Sequence, residues 1–377
     1  MRLPTSLAAL AVATFTALPA AAQDVVLKVH HFWPPGAMPP STILTPWCEK
    51  IAKDSGGKMR CQIYPSMQLG GTPANLIDQA KDGVADIVWT LPGYTAGRFP
   101  LMEVFELPFM SSSAEATSQA AWDYYTQVGH KEFPGIKALA VNVHDNGYIH
   151  TNPRQIKVMA DFKGLRMRAP TRQTNRMLAA LGATPVAMPL PALSEAIAKG
   201  VLDGYLLPWE VIPSIKAHEL TKYESETDPK SRALYTAVFI LAMNQAKYDS
   251  LPPDLKRVID ANSGASLAKQ MGAQWDASAP PARKLAVDRG NTFYVIPAAE
   301  LESWQKAIED GIIEPHEVAE QVERVMALLR TLEPMLDDAQ HEQVTRVLEE
   351  WAVLQAMQGT LLVEEFASGR STLPEVP

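Results

Sequence analysis

Val25-Val26-Leu27-Lys28-Val29-His30, Cys61-Gln62-Ile63-Tyr64 and Ala85-Asp86-Ile87-Val88-Trp89-Thr90 are three short runs of apolar and β-branched residues, the pattern of buried strands. Between the first two, a helix is predicted to run to about Lys53. Between the second and third, another fits residues 73–82, with Gly83 as its left-handed C-cap. The order β-α-β-α-β predicts a doubly wound α/β layer.

The pattern restarts further on. Strands are predicted at 138–143, 165–168, 184–188 and 203–207, and helices at 174–181 and 191–199, ended by Gly182 and Gly200. Two α/β blocks without a long linker predict two lobes facing a cleft. Ligands of such sheets bind outside the carboxyl ends of the strands.

Unusual residues collect at those ends. Phe32-Trp33 follows the first strand and Trp89-Thr90-Leu91-Pro92 ends the third. The second block delivers Arg168 and then Leu207-Pro208-Trp209-Glu210. Each ring is also explained as core or lobe packing, but the shared placement after strands points to a pocket. Arg166 and Arg168 alternate on one strand and so face opposite ways. One is then a surface charge, while the other reaches the cleft, where a guanidinium can hold a carboxylate through two parallel bonds.

Composition narrows the partners. The 377 residues carry 34 Lys and Arg against 42 Asp and Glu, a net charge of −8, which argues against nucleic acid. Apolar residues make up 47%, enough for a sizeable core. The sequence has no nucleophile elbow, no phosphate-binding P-loop and no dinucleotide fingerprint. The adjacent pair His30-His31 points to opposite faces of a strand and is a poor chelator. No catalytic residue, metal or cofactor is predicted, and binding is favoured over chemistry.

The N-terminus reads as a secretory signal peptide. Met1-Arg2 is positive, residues 7–18 are an apolar run, and Pro19-Ala20-Ala21-Ala22 offers a cleavage site before Gln23. A membrane anchor is the weaker reading, since the run falls short of the ~20 residues that span a bilayer. In an oxidising compartment the two cysteines, Cys48 and Cys61, are expected to form a disulfide rather than remain buried thiols. So short a loop would be stabilised by about 3 kcal/mol.

Several segments together resemble the solute-binding proteins of TRAP transporters, the tripartite ATP-independent periplasmic carriers (the DctP-like family). They are Tyr64-Pro65-Ser66-Met67-Gln68-Leu69-Gly70-Gly71, Asp82-Gly83-Val84-Ala85-Asp86-Ile87, Phe105-Glu106-Leu107-Pro108-Phe109, Lys163-Gly164-Leu165-Arg166-Met167-Arg168-Ala169-Pro170, Val201-Leu202-Asp203-Gly204 and Tyr248-Asp249-Ser250-Leu251-Pro252. They follow the family's order over residues 25–310. The resemblance implies a two-lobed α/β periplasmic binding protein fold with strands crossing between lobes. It also implies one organic acid in the cleft and delivery to the membrane subunits of a TRAP permease. Its carboxylate-binding Arg falls on Arg168. The expected organisation is a signal peptide at 1–22, one lobe at 23–145 with 236–278, and a second at 146–235 with about 279–310. Residues 311–377 follow as a C-terminal extension.

Departures from sialic-acid-binding relatives set the expected ligand. Phe32, Leu91 and Leu207 stand where those proteins carry polar groups, and Asn146-Gly147 is followed by Tyr148-Ile149-His150, without the second Arg. A polyhydroxylated acid would leave hydroxyls unpaired there, at about 1–3 kcal/mol each, whereas an aromatic or branched apolar monocarboxylate would not. The expected ligand-binding residues are Arg168, Trp209, Phe32, Trp33, Trp89, Leu91, Leu207, Asn146, His150 and Tyr235, the last three as further polar contacts. The other functional class is an exported enzyme or sensor-input domain on the same scaffold. Residues 311–377 show helical apolar spacing at Val318, Val322, Val325 and Leu329, then, after Pro334, at Val344, Val347, Leu348 and Trp351, which predicts a helical hairpin. Packing onto a lobe, homodimer formation and permease docking are its alternative roles.

Overall fold

Two mixed sheets organise the chain. The first contains β1 (Val25–His31), β2 (Met59–Tyr64), β3 (Ile87–Thr90), β4 (Ile136–Val143) and a late strand, β10 (Val238–Asn244), in the order β2-β1-β3-β10-β4. β1 is parallel to both β2 and β3, with Val29 level with Ile63 and Ile87, while β10 runs antiparallel between β3 and β4. All residues of β3 and β10 are buried, as expected of central strands covered on both faces. β2 is one edge of this sheet, with β4 at the other, and exposes Arg60 and Gln62. The computed structural model describes residues 24–309 and, beyond them, Pro334 alone. The expectations for residues 1–22 and 311–377 lie outside the described residues.

The second sheet contains β5 (Gly147–Thr151), β6 (Arg166–Ala169), β7 (Thr184–Ala187), β8 (Gly204–Pro208), β9 (Tyr223–Thr227) and β11 (Thr292–Ile296), in the order β11-β9-β5-β8-β6-β7. β6, β7 and β8 are parallel, and β5 is antiparallel to β8 and β9. The first sheet carries helices α1 (Thr45–Asp54), α2 (Leu76–Lys81) and α3 (Ala114–Gln127) between its strands, and the second carries α4 (Arg172–Ala180) and α5 (Leu193–Ala198). The predicted doubly wound blocks are present, each with an added antiparallel strand. Cys48 of α1 and Cys61 of β2 form a disulfide, their Cα atoms 5.6 Å apart.

The chain passes between the sheets at residues 144–146, again at 228–237, and a third time along a long helix. After α6 (Gln245–Ser250) and α7 (Pro253–Ala261), α8 runs from Ala265 to Arg289 with Pro280 and Pro281 inside it, and α9 (Ala298–Glu309) follows β11. Charged contacts pin α8 at its middle and towards its C-terminal end. Asp276 accepts from the main-chain N–H groups of Ala114 and Glu115, at 2.9 and 3.0 Å, at the N-terminus of α3, where a negative charge is favoured. Seven residues further, Arg283 makes a two-pronged pair with Glu226 of β9, both contacts at 2.7 Å. One helix thereby grips both sheets.

Candidate ligand-binding site

The carboxyl ends of β1, β3, β6, β7 and β8 converge on one pocket, which leaves about 30 Å3 for the centres of water-sized molecules. From the first sheet's side come Phe32, Trp33, Leu91 and Tyr94, then His144 after β4, and Ala237 and Phe239 around the start of β10. The second sheet gives Arg168, Pro170, Leu190, Leu207, Pro208, Glu210 and Val211, and the second crossing gives Tyr235.

Arg168 is the charge in this wall. It is 1% exposed. Its Nε donates to the carbonyl of Met188 at 2.8 Å and Nη1 to that of Leu206 at 2.9 Å, which fixes the plane of the guanidinium. It makes no ion pair with a carboxylate among the described residues. A buried charge without a counter-ion costs several kcal/mol, and an incoming anion supplies what is missing. Its strand neighbour Arg166 points outward, half exposed, and pairs with Asp203 at 2.9 Å. Alternation on β6 thus separates the two arginines into surface and cavity.

Two phenols accompany the guanidinium. The Tyr94 oxygen accepts the N–H of Leu190 at 3.2 Å, leaving its own O–H to donate. The Tyr235 hydroxyl is buried and has no hydrogen-bond partner among the described residues. Burial holds both phenols protonated, with the charge of Arg168 pulling the other way. Tyr235 lies against Gly147, where a Cβ would come within 2.0 Å of the ring, so only glycine permits this approach.

Rings form the opposite wall. Trp33 stacks on Phe32 with centroids 4.1 Å apart and on Phe239 at 5.5 Å, and Tyr94 meets Phe32 edge-on at 5.5 Å. These offset and edge-on geometries are the favourable ones for aromatic pairs.

Four of the residues expected at the site lie off the lining. Trp89 is one layer deeper, packed between Trp33 and Trp275, and its indole donates to Asn142. Trp209 turns into the second sheet and donates to Glu226 at 2.9 Å. His150 is fully buried, with Nδ1 on Glu224 and Nε2 3.0 Å from the carbonyl of Leu207, so neither ring nitrogen is free for a ligand. Asn146 sits beside the Tyr148 phenol. Tyr94, His144, Glu210 and Phe239 were not among the expected residues. His144 follows the end of β4, and the strand-end rule applied to β4 would have pointed to it. Among the described residues no group of three or more His, Cys, Asp or Glu is placed to hold a metal, and no helix is long and apolar enough to cross a membrane.

Buried titratable groups give the fold a distinctive pH response. Burial pushes the carboxyl of Glu210 up to about 7, and that of Glu106, which accepts from the Val238 N–H at 3.3 Å, up to about 8. Asp145 is raised well above the carboxylate range by burial and by the charges of Glu210 and Asp276. His31 and His144 are held down to about 4 by burial. A raised carboxyl contributes stability that is full below its ordinary value of 4.5 and is lost as pH rises through the folded value. The histidines act oppositely, losing stability as pH falls from 6.5 towards 4. The two effects oppose each other below pH 6.5, and only the carboxyls act above it. Calorimetric melting should therefore show stability falling between pH 6.5 and 8, by about 2 kcal/mol from Glu106 alone, with Glu210 and Asp145 adding to the fall. Glu106→Gln should flatten that limb, and an unchanged slope would contradict the assignment.

A pocket that buries one guanidinium among rings, at the junction of two α/β sheets, defines a receptor for a small molecule. The family model of the bacterial extracellular solute-binding proteins, family 7, matches residues 29–314, and the chain belongs to that family. The resemblance to TRAP solute-binding proteins is thereby borne out, including their two-sheet α/β fold. The family is the substrate-binding component that works with TRAP permease subunits and binds small organic acids. A TRAP solute-binding protein from Rhodoferax ferrireducens, solved with copurified benzoate, is 48% identical, covers 85% of this chain and 99% of its own, and superposes with a TM-score of 0.76. One from a marine metagenome, specific for aromatic acid ligands and solved with 3-hydroxybenzoate, is 50% identical over 76% of this chain and 89% of its own, with a TM-score of 0.75. The C4-dicarboxylate-binding periplasmic protein DctP of Rhodobacter capsulatus is more distant, 24% identical over 77% of this chain and 86% of its own.

Proposed function

We propose that this protein is secreted through a cleaved signal peptide, captures an aromatic or branched apolar monocarboxylate without transforming it, and delivers it to the membrane subunits of a TRAP permease. The observation that carries the reading is Arg168, a buried guanidinium without a carboxylate partner among the described residues, in a cavity walled mainly by rings and aliphatic side chains, with Glu210 as its one carboxyl among the described residues. Tyr235 and Tyr94 are positioned to donate to the same carboxylate. The aromatic acids held by the two solved relatives at about half identity support the choice of ligand.

The lobes on this reading are residues 23–145 with 236–278, and 146–235 with 279–310. Contacts already bridge them. Glu103, in the helical turn Met102–Glu106, accepts from Arg172 and Gln173 at the start of α4, both at 2.9 Å. A ligand shifts opening and closing only by its preference for the closed form. Moving a ratio of 1:99 to 99:1 takes about 5.5 kcal/mol, which a micromolar ligand, at about −8.2 kcal/mol, can supply. The test is calorimetric titration with benzoate-type acids against succinate and sialic acid. Binding confined to the aromatic acids supports the reading. Sustained heat flow after mixing would mark turnover and overturn the non-enzymatic part.

A further inference from the structure

Arg168, Tyr94 and Tyr235 bring donors to the cavity, and its other polar side chains are the Glu210 carboxyl and His144. His144 lines the cavity and is 3% exposed. Its Nδ1 meets the main-chain oxygen of Asp145. A carbonyl oxygen only accepts, so Nδ1 carries the hydrogen, and a neutral ring then bears a bare lone pair on Nε2. Burial keeps the ring neutral, and the nearby charge of Arg168 acts in the same direction. The ring's one hydrogen bond among the described residues is that of Nδ1, and Nε2 makes none. The ring is held edge-on by Tyr235, at 5.3 Å, and by Phe239, at 6.2 Å.

The titratable groups around it leave this acceptor unanswered. Asp145 follows in the chain, and Glu210 faces Asp145 from the turn after β8. Arg168 approaches from β6 with Nε and Nη1 already donating to carbonyls. The Tyr235 hydroxyl has no hydrogen-bond partner among the described residues.

We propose that His144 Nε2 accepts a hydrogen bond from a hydroxyl on the ligand, so that the preferred acids are hydroxylated aryl carboxylates rather than unsubstituted ones. The proposal rests on the aromatic-acid reading above. A buried acceptor matched by a hydroxyl rejects an equally large group that cannot donate, because the acceptor is then left unpaired.

The test is calorimetric titration of the full-length protein near pH 7.5 with benzoate, the three hydroxybenzoate isomers and the methylbenzoate matching each in size. At least one hydroxybenzoate should bind on the order of 10–100-fold more tightly than its methyl counterpart. His144→Phe should shrink that gap to less than about threefold while benzoate still binds, and His144→Gln, which keeps an acceptor, should preserve it. Equal binding of every hydroxyl and methyl pair by the wild type, or an undiminished gap in His144→Phe, would overturn the proposal while leaving the aromatic-acid reading intact. Failure of all these acids to bind would overturn both. A readout independent of folding of the variants is the nitrogen resonance of His144 Nε2 in the wild type. It should move on adding the preferred hydroxybenzoate and not its methyl counterpart, and equal movement with both contradicts the assignment.

Discussion

Arg168→Ala should remove nearly all binding of a carboxylate ligand while the protein still folds. Truncating one partner of a buried, hydrogen-bonded ion pair costs about 2–5 kcal/mol, roughly 30- to 5,000-fold in affinity. The fold should tolerate the change. Without ligand the guanidinium is a buried charge held by the carbonyls of Met188 and Leu206 and beside the Tyr94 phenol, and losing it relieves a desolvation cost as well as breaking those bonds. Arg168→Lys keeps the charge but not the planar fork, and should bind at an intermediate level. Titration calorimetry with circular dichroism reads both effects. Unchanged affinity in Arg168→Ala would show that the anchor lies elsewhere.

Trp33→Ala should damage binding and folding together. The ring is 2% exposed and packs against His31, Phe32, Trp89 and Phe239 while also facing the cavity. Removing a buried Trp costs about 3–5 kcal/mol, which in a chain of this size lowers the melting temperature by roughly 10 °C. The lost wall should also weaken an aromatic ligand, by about tenfold for one good stacking contact. Trp33→Phe should recover most of both. An alanine variant that melts normally would mean that the stack carries no load. One that melts low yet binds normally would mean that the ligand does not touch it.

The sheets were largely legible because their central strands are continuous apolar runs bounded by glycine and proline. β9 was not. Tyr223-Glu224-Ser225-Glu226-Thr227 reads as a solvated surface, yet Glu224 and Glu226 are buried because His150, Trp209 and Arg283 meet them from distant parts of the chain. The same hidden partners explain why His150 and Trp209 looked like ligand contacts. Their side chains satisfy carboxylates that local sequence gives no means of pairing with them. α8 was obscured by Gly272 and by Pro280-Pro281. The glycine is needed because a Cβ would come within 2.3 Å of the Ala114 carbonyl, where α8 crosses α3.

At the cavity, alternation on β6 established only that Arg166 and Arg168 differ, and the family resemblance chose between them. Phe32, Trp33, Leu91 and Leu207 follow from the rule that ligands meet strand ends. Tyr94 does not, because the single helical turn Pro92–Tyr94 sets its direction and has no periodicity to read. Tyr235 was visible as a residue just before an apolar strand. Its exposure to the cavity depends on the missing side chain of Gly147.

The most direct test is the heat of mixing of the purified protein with benzoate or a hydroxybenzoate, measured beside succinate and sialic acid. The pocket described here predicts one-to-one binding of the aromatic acids at micromolar affinity or tighter, with a negative heat-capacity change from burial of apolar surface, and no measurable heat from the other two. Tight binding of succinate or sialic acid with silence towards the aromatic acids would contradict a cavity built from one guanidinium and a wall of rings.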